Sequence, residues 1–393
     1  MKSSLRLFRV AGIDIGIHYS WIFIFILVSW TLAAGVYPSQ HPGESAGLYW
    51  VMGVITALLL FVSVLLHELA HSLVARSRGM KVSSITLFIL GGVSNLEDEP
   101  EKPGIEFSMA IVGPGTSLVL GIVCWLVVSA MTGALVSPAD LLTGSAFSTP
   151  VESVIGYLAW INVTLAIFNL LPGFPLDGGR VLRSILWGST GNLVRATTIA
   201  GVVGQTFGWA LIIIGVAMVL GVRVWIFQGF LGGLWFALIG WFLMSAADAS
   251  RKEIALRERL SHIKVKDVVG PEPRTIGPEA TVAELVNQIF SRQHGRAIPV
   301  CDGGRLRGIV TVSDVKKVPQ ERWADTRVSS IMTGDPLYTV KPDDNLSTVM
   351  KLISQHDINQ VLVNREGQCA GILGRADIIR HIQFTQELGL PGR

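Results

Sequence analysis

Apolar residues are not spread evenly along this chain. They gather into six long runs, all before about residue 247: 19–36, 48–71, 107–134, 152–171, 198–220 and 224–247. Crossing a bilayer takes about 20 helical residues, and backbone groups in lipid find no water. Each run is therefore predicted to be a membrane helix. The polar gaps between the runs are uneven. Residues 37–47 and 135–151 carry no Lys or Arg, whereas 72–106 carry Arg76, Arg78, Lys81 and Lys102, and 176–197 carry Arg180, Arg183 and Arg195. Positive charge favours the cytoplasmic side, so this alternation places both chain ends in the cytoplasm. Arg223, in a short outer loop, is the one dissenting charge. Lys2, Arg6 and Arg9 precede the first run, which reads as a retained span because it is longer than a signal-peptide core and further spans follow.

The pattern changes in two other places. In the gap after the second run, VSSITLFILGGVSNLEDEPEKP is rich in branched and aromatic residues. It reads as a strand or hairpin, with a strand ending at Gly91-Gly92 and then an acidic turn. After residue 247 the apolar runs stop. Residues 248–262, DASRKEIALRERLSH, are charged and helix-favouring and read as a linker. Then two stretches repeat one another, beginning at Val265 and Val328: Gly308 matches Gly371 and Asp314 matches Asp377, each at an offset of 63. Each unit reads strand, helix, strand, Gly-rich turn, strand, helix. The expected fold is a polytopic α-helical membrane protein of about six transmembrane helices with a C-terminal α/β tail. Its parts are 1–247 in the membrane, a linker at 248–263, and two modules at 264–320 and 328–385.

Composition narrows the function. The net charge of +3 comes with no basic stripe interleaved with aromatics, so nucleic acid is not an expected partner. Cys124, Cys301 and Cys369 have no CxxC spacing, which argues against a disulfide framework and fits a reducing compartment for the tail.

The second run contains SVLLHELAHSLVA, residues 63–75. His67 and His71 are one helical turn apart and share a face, so both imidazoles can reach one metal ion, with Glu68 beside its water. This is the HExxH arrangement of zinc hydrolases, in which the metal lowers the pKa of water from near 16 to about 7 and the carboxylate takes the proton. Ionisable residues are costly in a bilayer and usually face a bundle interior or a wet cavity. A catalytic zinc commonly takes three protein ligands and keeps one position open. Asp177, in NLLPGFPLDGGR at 169–180, is the expected third ligand. Pro172 and Pro175 end the fourth run, Gly178-Gly179 turns the chain, and the second and fourth runs end on the same side. The plain reading of Asp177 is an Asp-Gly turn at a helix end.

HELAH on a membrane helix, followed about a hundred residues later by N-x-x-P-x-x-P-L-D-G-G-R, resembles the site-2 protease family of intramembrane zinc metallopeptidases (M50 type). The repeated tail resembles a tandem CBS pair, and the opening VAGIDIGIHYSW is similar to the same family. The resemblance implies His67, His71 and Asp177 as zinc ligands and Glu68 as general base. It implies a place near the metal for Asn169, where an amide steadies an oxyanion; helix–helix hydrogen bonding is its alternative role. Gly91, Gly92 and Asn95 fall where the family pairs an unwound substrate strand by β-addition, with a plain turn as the alternative. Gly113-Pro114-Gly115 should kink or loosen the third run. The family often has Asn four residues after that glycine, where this chain has Ser117. His18 reads as an interfacial residue and His41 as part of an outer loop.

CBS pairs bind adenosine compounds between modules, and their G-h-x-[TS]-x-x-D element places a hydroxyl and a carboxylate near the ribose. Residues 308–314 keep it whole, giving Thr311 and Asp314, whereas 371–377 keep Asp377 without the hydroxyl. The expected cofactors are one Zn2+ and, at the tail, ATP, ADP or AMP; Arg296 is a candidate phosphate contact or a solvated charge. The expected activity is zinc-dependent cleavage of a peptide bond in or near a membrane helix of a substrate protein, modulated by the tail, in a prokaryotic plasma membrane. A homodimer through the CBS pair is a further expectation, and a purely structural or dimerising pair is the plain reading. A CBS-regulated ion or metal transporter is the alternative function, and Glu68 separates the two, since a hydrolase needs it as a base.

Overall fold

The computed structural model describes residues 4–387 apart from 90, 97–99, 223–228, 271, 288–296 and 357. Arg223, Arg296 and the expected acidic turn at 97–99 thus lie outside the described residues. The chain divides into two compact units, Met1–Glu253 and Ile254–Arg393.

Six helices of the described chain are long and apolar enough to cross a membrane. The first, Trp21–Gln40, is α1 (Trp21–Thr31), a π-helical turn and α2 (Tyr37–Gln40). The second is α3 (Ala46–Ser77), whose N-cap Ser45 accepts a hydrogen bond from Leu48 N–H. The third, α4 (Pro103–Thr132), has Pro at its first position, where no intrahelical partner is lost. It runs through Pro114 unbroken and ends at Gly133 in the left-handed region. A short α5 (Pro138–Thr143) leads to α6 (Pro150–Asn169), opened by a Thr149–Glu152 capping box. Then come α7 (Asp177–Thr190), amphipathic and too polar to span, α8 (Leu193–Val219) and α9 (Gly229–His262). The charged stretch 248–262 is thus helical and continuous with the sixth span, and the division between units falls inside that helix.

The membrane unit also carries a four-stranded sheet in the order β1 (Ser4–Val10), β2 (Ile13–His18), β3 (Val82–Phe88), β4 (Gly91–Leu96). The outer pairs are antiparallel and β2–β3 is parallel. One face of the sheet packs Ile13, Ile15, Val82 and Ile85 against Ala75 of α3 and Met109 of α4. Gly91-Gly92 therefore opens the returning strand of a hairpin instead of ending the first one. The correction has a local cause: Gly91 has φ +136°, a region closed to residues with a Cβ, and so turns the chain directly into β4. No strand among the described residues pairs with the outer edge of β4.

Between helices, polar contacts are few and local. Asn162 of α6 donates to Ser63 of α3 at 3.2 Å, and Tyr37 shares a 2.5 Å hydrogen bond with Thr56. One charged contact is fully buried. Glu106 of α4 accepts from Arg183 of α7, whose Nε stands at 2.6 Å, and Arg183 also lies over the Phe174 ring. Arg183 was expected as a loop charge; its guanidinium is instead buried in this pair.

In the second unit the repeat is visible as two cores. The first module holds α10 (Val282–Leu285), β5 (Ala297–Asp302), β6 (Arg305–Thr311) and α11 (Val312–Val315). The second holds β7 (Thr339–Val340), α12 (Leu346–Gln355), β8 (Gln360–Arg365), β9 (Gln368–Gly374) and α13 (Arg375–Glu387). The opening valines are exchanged: Val265 sits in the second core and Val328 in the first. Each module thus completes the other.

The buried ion pair yields a test. Arg183→Met leaves the buried carboxylate with only the more distant Arg180, whose Nε stands 3.9 Å away, and should cost up to about 3 kcal/mol. Thermal unfolding in detergent should show a lowered Tm, and adding Glu106→Gln should restore most of it.

Candidate metal centre

The site is built where α3, α4 and the start of α7 meet. His67 and His71 lie one turn apart on the buried face of α3. Asp177 is delivered by a tight loop. Leu176 N–H bonds Gly173 O at 3.0 Å, Phe174 N–H bonds Ala200 O of α8 at 3.1 Å, and Gly178 and Gly179 let the loop fold back on itself. A Cβ at either glycine would meet loop backbone, so the Asp-Gly-Gly sequence is a packing requirement.

The result is a triangle of ligand atoms. Asp177 Oδ2 lies 3.0 Å from His67 Nε2 and 3.1 Å from His71 Nε2, and the two nitrogens are 3.2 Å apart. A tetrahedral zinc with bonds of about 2.0–2.1 Å spaces its ligand atoms by roughly 3.3 Å, close to this triangle. The outer ring nitrogens support the same donor set. His71 Nδ1 donates to Met109 O at 2.6 Å, because a carbonyl can only accept; in the neutral ring Nε2 then carries a lone pair. His67 Nδ1 meets Ser117 Oγ at 2.9 Å. Two imidazole nitrogens and a carboxylate oxygen at this spacing are a donor set that fits a divalent cation. Space for it comes from Gly113 of α4, where a methyl group would fall against Nε2 of both histidines.

Glu68 turns from the same helix toward the sheet. Its Oε2 accepts from Ser94 of β4 at 3.1 Å, and Ser94 Oγ accepts from the buried Ser72 at 3.1 Å. Gly92 lies against the Glu68 stem, where a Cβ would collide with Cγ. Asn95 is exposed and donates to Ser83 of the neighbouring strand at 3.0 Å, on the face away from Glu68. The residue of β4 that reaches the site is therefore Ser94; strand alternation, applied from Gly92, could have found it. Asn169 closes α6, half-buried, and its amide has no hydrogen-bond partner among the described residues. Asn162, two turns earlier, makes the helix–helix bond instead. His18 bonds Ser20 and His41 bonds Ser153, and neither joins the triangle.

In the tail, Thr311 donates its hydroxyl at 2.6 Å and its amide at 3.1 Å to Asp314 Oδ2, and Lys317 meets Oδ1 at 2.9 Å. Partial burial raises the Asp314 carboxyl, but these donors outweigh it and hold the group below its ordinary value. Asp377 accepts from Gly374 N–H at 3.0 Å. A cavity of about 520 Å³ lies between the two hairpin turns, lined by Arg305, Asp335, Asn364 and Glu366 among others. It includes none of Thr311, Asp314 and Asp377.

Known proteins resemble this chain in both of its units. A family model described as peptidase family M50 matches residues 55–215, and the CBS domain matches 265–321 and 328–383. The chain is 36% identical to "Putative zinc metalloprotease sll0528" of Synechocystis sp., over 98% of this chain and 97% of that one. It is 26% identical to "Zinc metalloprotease MJ0392" of Methanocaldococcus jannaschii, over 98% of each. The chain belongs to peptidase family M50. Among solved structures, the site-2 protease from Methanocaldococcus jannaschii is 27% identical, covering 63% of this chain and 95% of that chain at a TM-score of 0.42. This M50 protein is a zinc metalloprotease of the site-2 protease type, built on membrane helices and carrying a CBS pair.

The Ser117 contact makes a measurable claim about the M50 site. Ser117→Ala should weaken zinc binding by about 10–100-fold, the usual cost of removing a partner from a ligating histidine. Competition with a chromogenic chelator reads this without an activity assay.

Proposed function

We propose that this M50 protease hydrolyses a peptide bond within or beside the membrane helix of a substrate protein, at the cytoplasmic face. The observation that carries the proposal is the three-atom triangle of His67, His71 and Asp177 with Glu68 beside it. His67, His71 and Asp177 would hold the zinc. The bound ion supplies Lewis-acid charge and makes water acidic near neutral pH. Glu68 accepts the proton of the attacking water and later returns it to the leaving amine. The free amide of Asn169 is available to donate to the oxyanion.

A membrane helix hides its carbonyls in its own hydrogen bonds, so the substrate must unwind before attack. The open edge of β4 supports that step, since a strand added there satisfies backbone groups that lipid leaves unpaired. Gly91 and Gly92 keep that edge slim; Asn95, engaged with Ser83, is the least favoured of the expected strand contacts.

Charge distribution supports a multi-pass protein of a prokaryotic plasma membrane with both ends cytoplasmic. Arg76, Arg78, Lys81, Lys102 and Arg195 are exposed on that side, and Arg183 no longer counts toward it. We propose further that the CBS pair takes adenine nucleotide at Thr311 and Asp314 and alters cleavage, and that CBS pairs join two copies.

On a single-pass reporter, Glu68→Gln should reduce cleavage by about 10²–10⁴-fold, the usual worth of a general base, while zinc content measured by atomic absorption stays equimolar. Undiminished cleavage would refute the proposal. Calorimetry with AMP, ADP and ATP should give binding that Asp314→Ala abolishes. A cleavage rate indifferent to all three nucleotides would remove the regulatory part.

A further inference from the structure

Glu68 has a flexible side chain, and the hydrogen bond that its carboxylate accepts among the described residues comes from β4, not from α3. Gly92 of β4 packs flat against the Glu68 stem, and Ser94 of the same strand donates to Oε2 at 3.1 Å. Ser94 is itself oriented. Ser72, fully buried one turn beyond Glu68 on the same face of α3, donates to Ser94 Oγ at 3.1 Å. A hydroxyl has one proton, so once Ser72 fills its acceptor side, the Ser94 proton is directed to Glu68. Oε1 takes no hydrogen bond among the described residues, which leaves it for a water.

We infer that Ser94, held by Ser72, is the positioning residue of Glu68, and that it acts from the strand whose open edge is offered to substrate. The inference rests on Glu68 being the general base. It adds that the base is aimed from β4 and not from the zinc-binding helix alone. A carboxylate with one oxygen pinned samples fewer rotamers, so its free oxygen spends more time in line for proton transfer. A hydroxyl at position 94 is therefore worth something in turnover and little in binding.

The test uses the full-length enzyme in detergent with the single-pass reporter. Ser94→Ala should lower kcat by about tenfold or more, in the range found for partners of active-site groups. KM should stay within about twofold, and zinc content and chelator competition should match the parent enzyme. Ser94→Thr, which keeps the hydroxyl, should recover most of kcat, and Ser72→Ala should show a smaller loss of the same kind. Unchanged kcat in Ser94→Ala overturns the inference. So does a loss matched by raised KM or lost zinc, or one that Ser94→Thr fails to repair, because any of these marks Ser94 as a packing residue of the strand. The parent reading fails separately: active Glu68→Gln removes the base itself, whereas inactive Glu68→Gln with fully active Ser94→Ala removes only the positioning role.

Discussion

Two imidazole nitrogens and a carboxylate oxygen stand 3.0–3.2 Å apart in a helix bundle, a spacing that suits three donors sharing one positive charge. Much of the membrane unit can be understood as keeping that triangle in place. Met109 O fixes the His71 ring and Ser117 steadies the His67 ring, so two of the three candidate ligands are oriented from α4. A ligand set presented by helices is precise because helices are stiff. The third candidate, Asp177, opens α7 directly after a loop and needs other means.

Those means are packing and one buried charge pair. The loop before α7 lies directly on α8: a Cβ at Gly204 would meet the backbone of Phe174. Arg183, two turns into α7, reaches Glu106 on α4 and covers the Phe174 ring. In a low-dielectric interior such a pair adds little net stability but tolerates little displacement. It therefore registers α7 against the helix that orients both histidines. Chemistry at one end of α7 is set by electrostatics further along the same helix.

Much of this was legible in the sequence, for identifiable reasons. The i, i+4 histidines and the six apolar runs follow from helical period and bilayer thickness alone. Asp177 was legible because the fourth run breaks at Pro172 and Pro175 on the same side as HELAH. The tail was legible from its offset of 63. Other features depended on partners far away in sequence. Nothing in GIEFS, residues 104–108, distinguishes a buried Glu106 from a surface one until Arg183 arrives 77 residues later. The β1–β2 hairpin has a local signal in the alternation of SLRLFRV and IDIGIH around Ala11-Gly12, which the apolar runs beside it overshadow. Asn95 follows from the resemblance alone, whereas period-two alternation from Gly92 points to Ser94.

Gly113 has a bearing on how relatives of this chain are read. The space beside the two imidazoles depends on a side chain that is not there, on a helix that supplies none of the three clustered residues. A relative with alanine at that place would retain HELAH and LDGG, yet its methyl group would push both imidazoles out of the triangle. Catalytic competence in such a lineage can be lost without touching a single catalytic group, and inactive descendants would be recognised on α4, not on the helix that bears the signature.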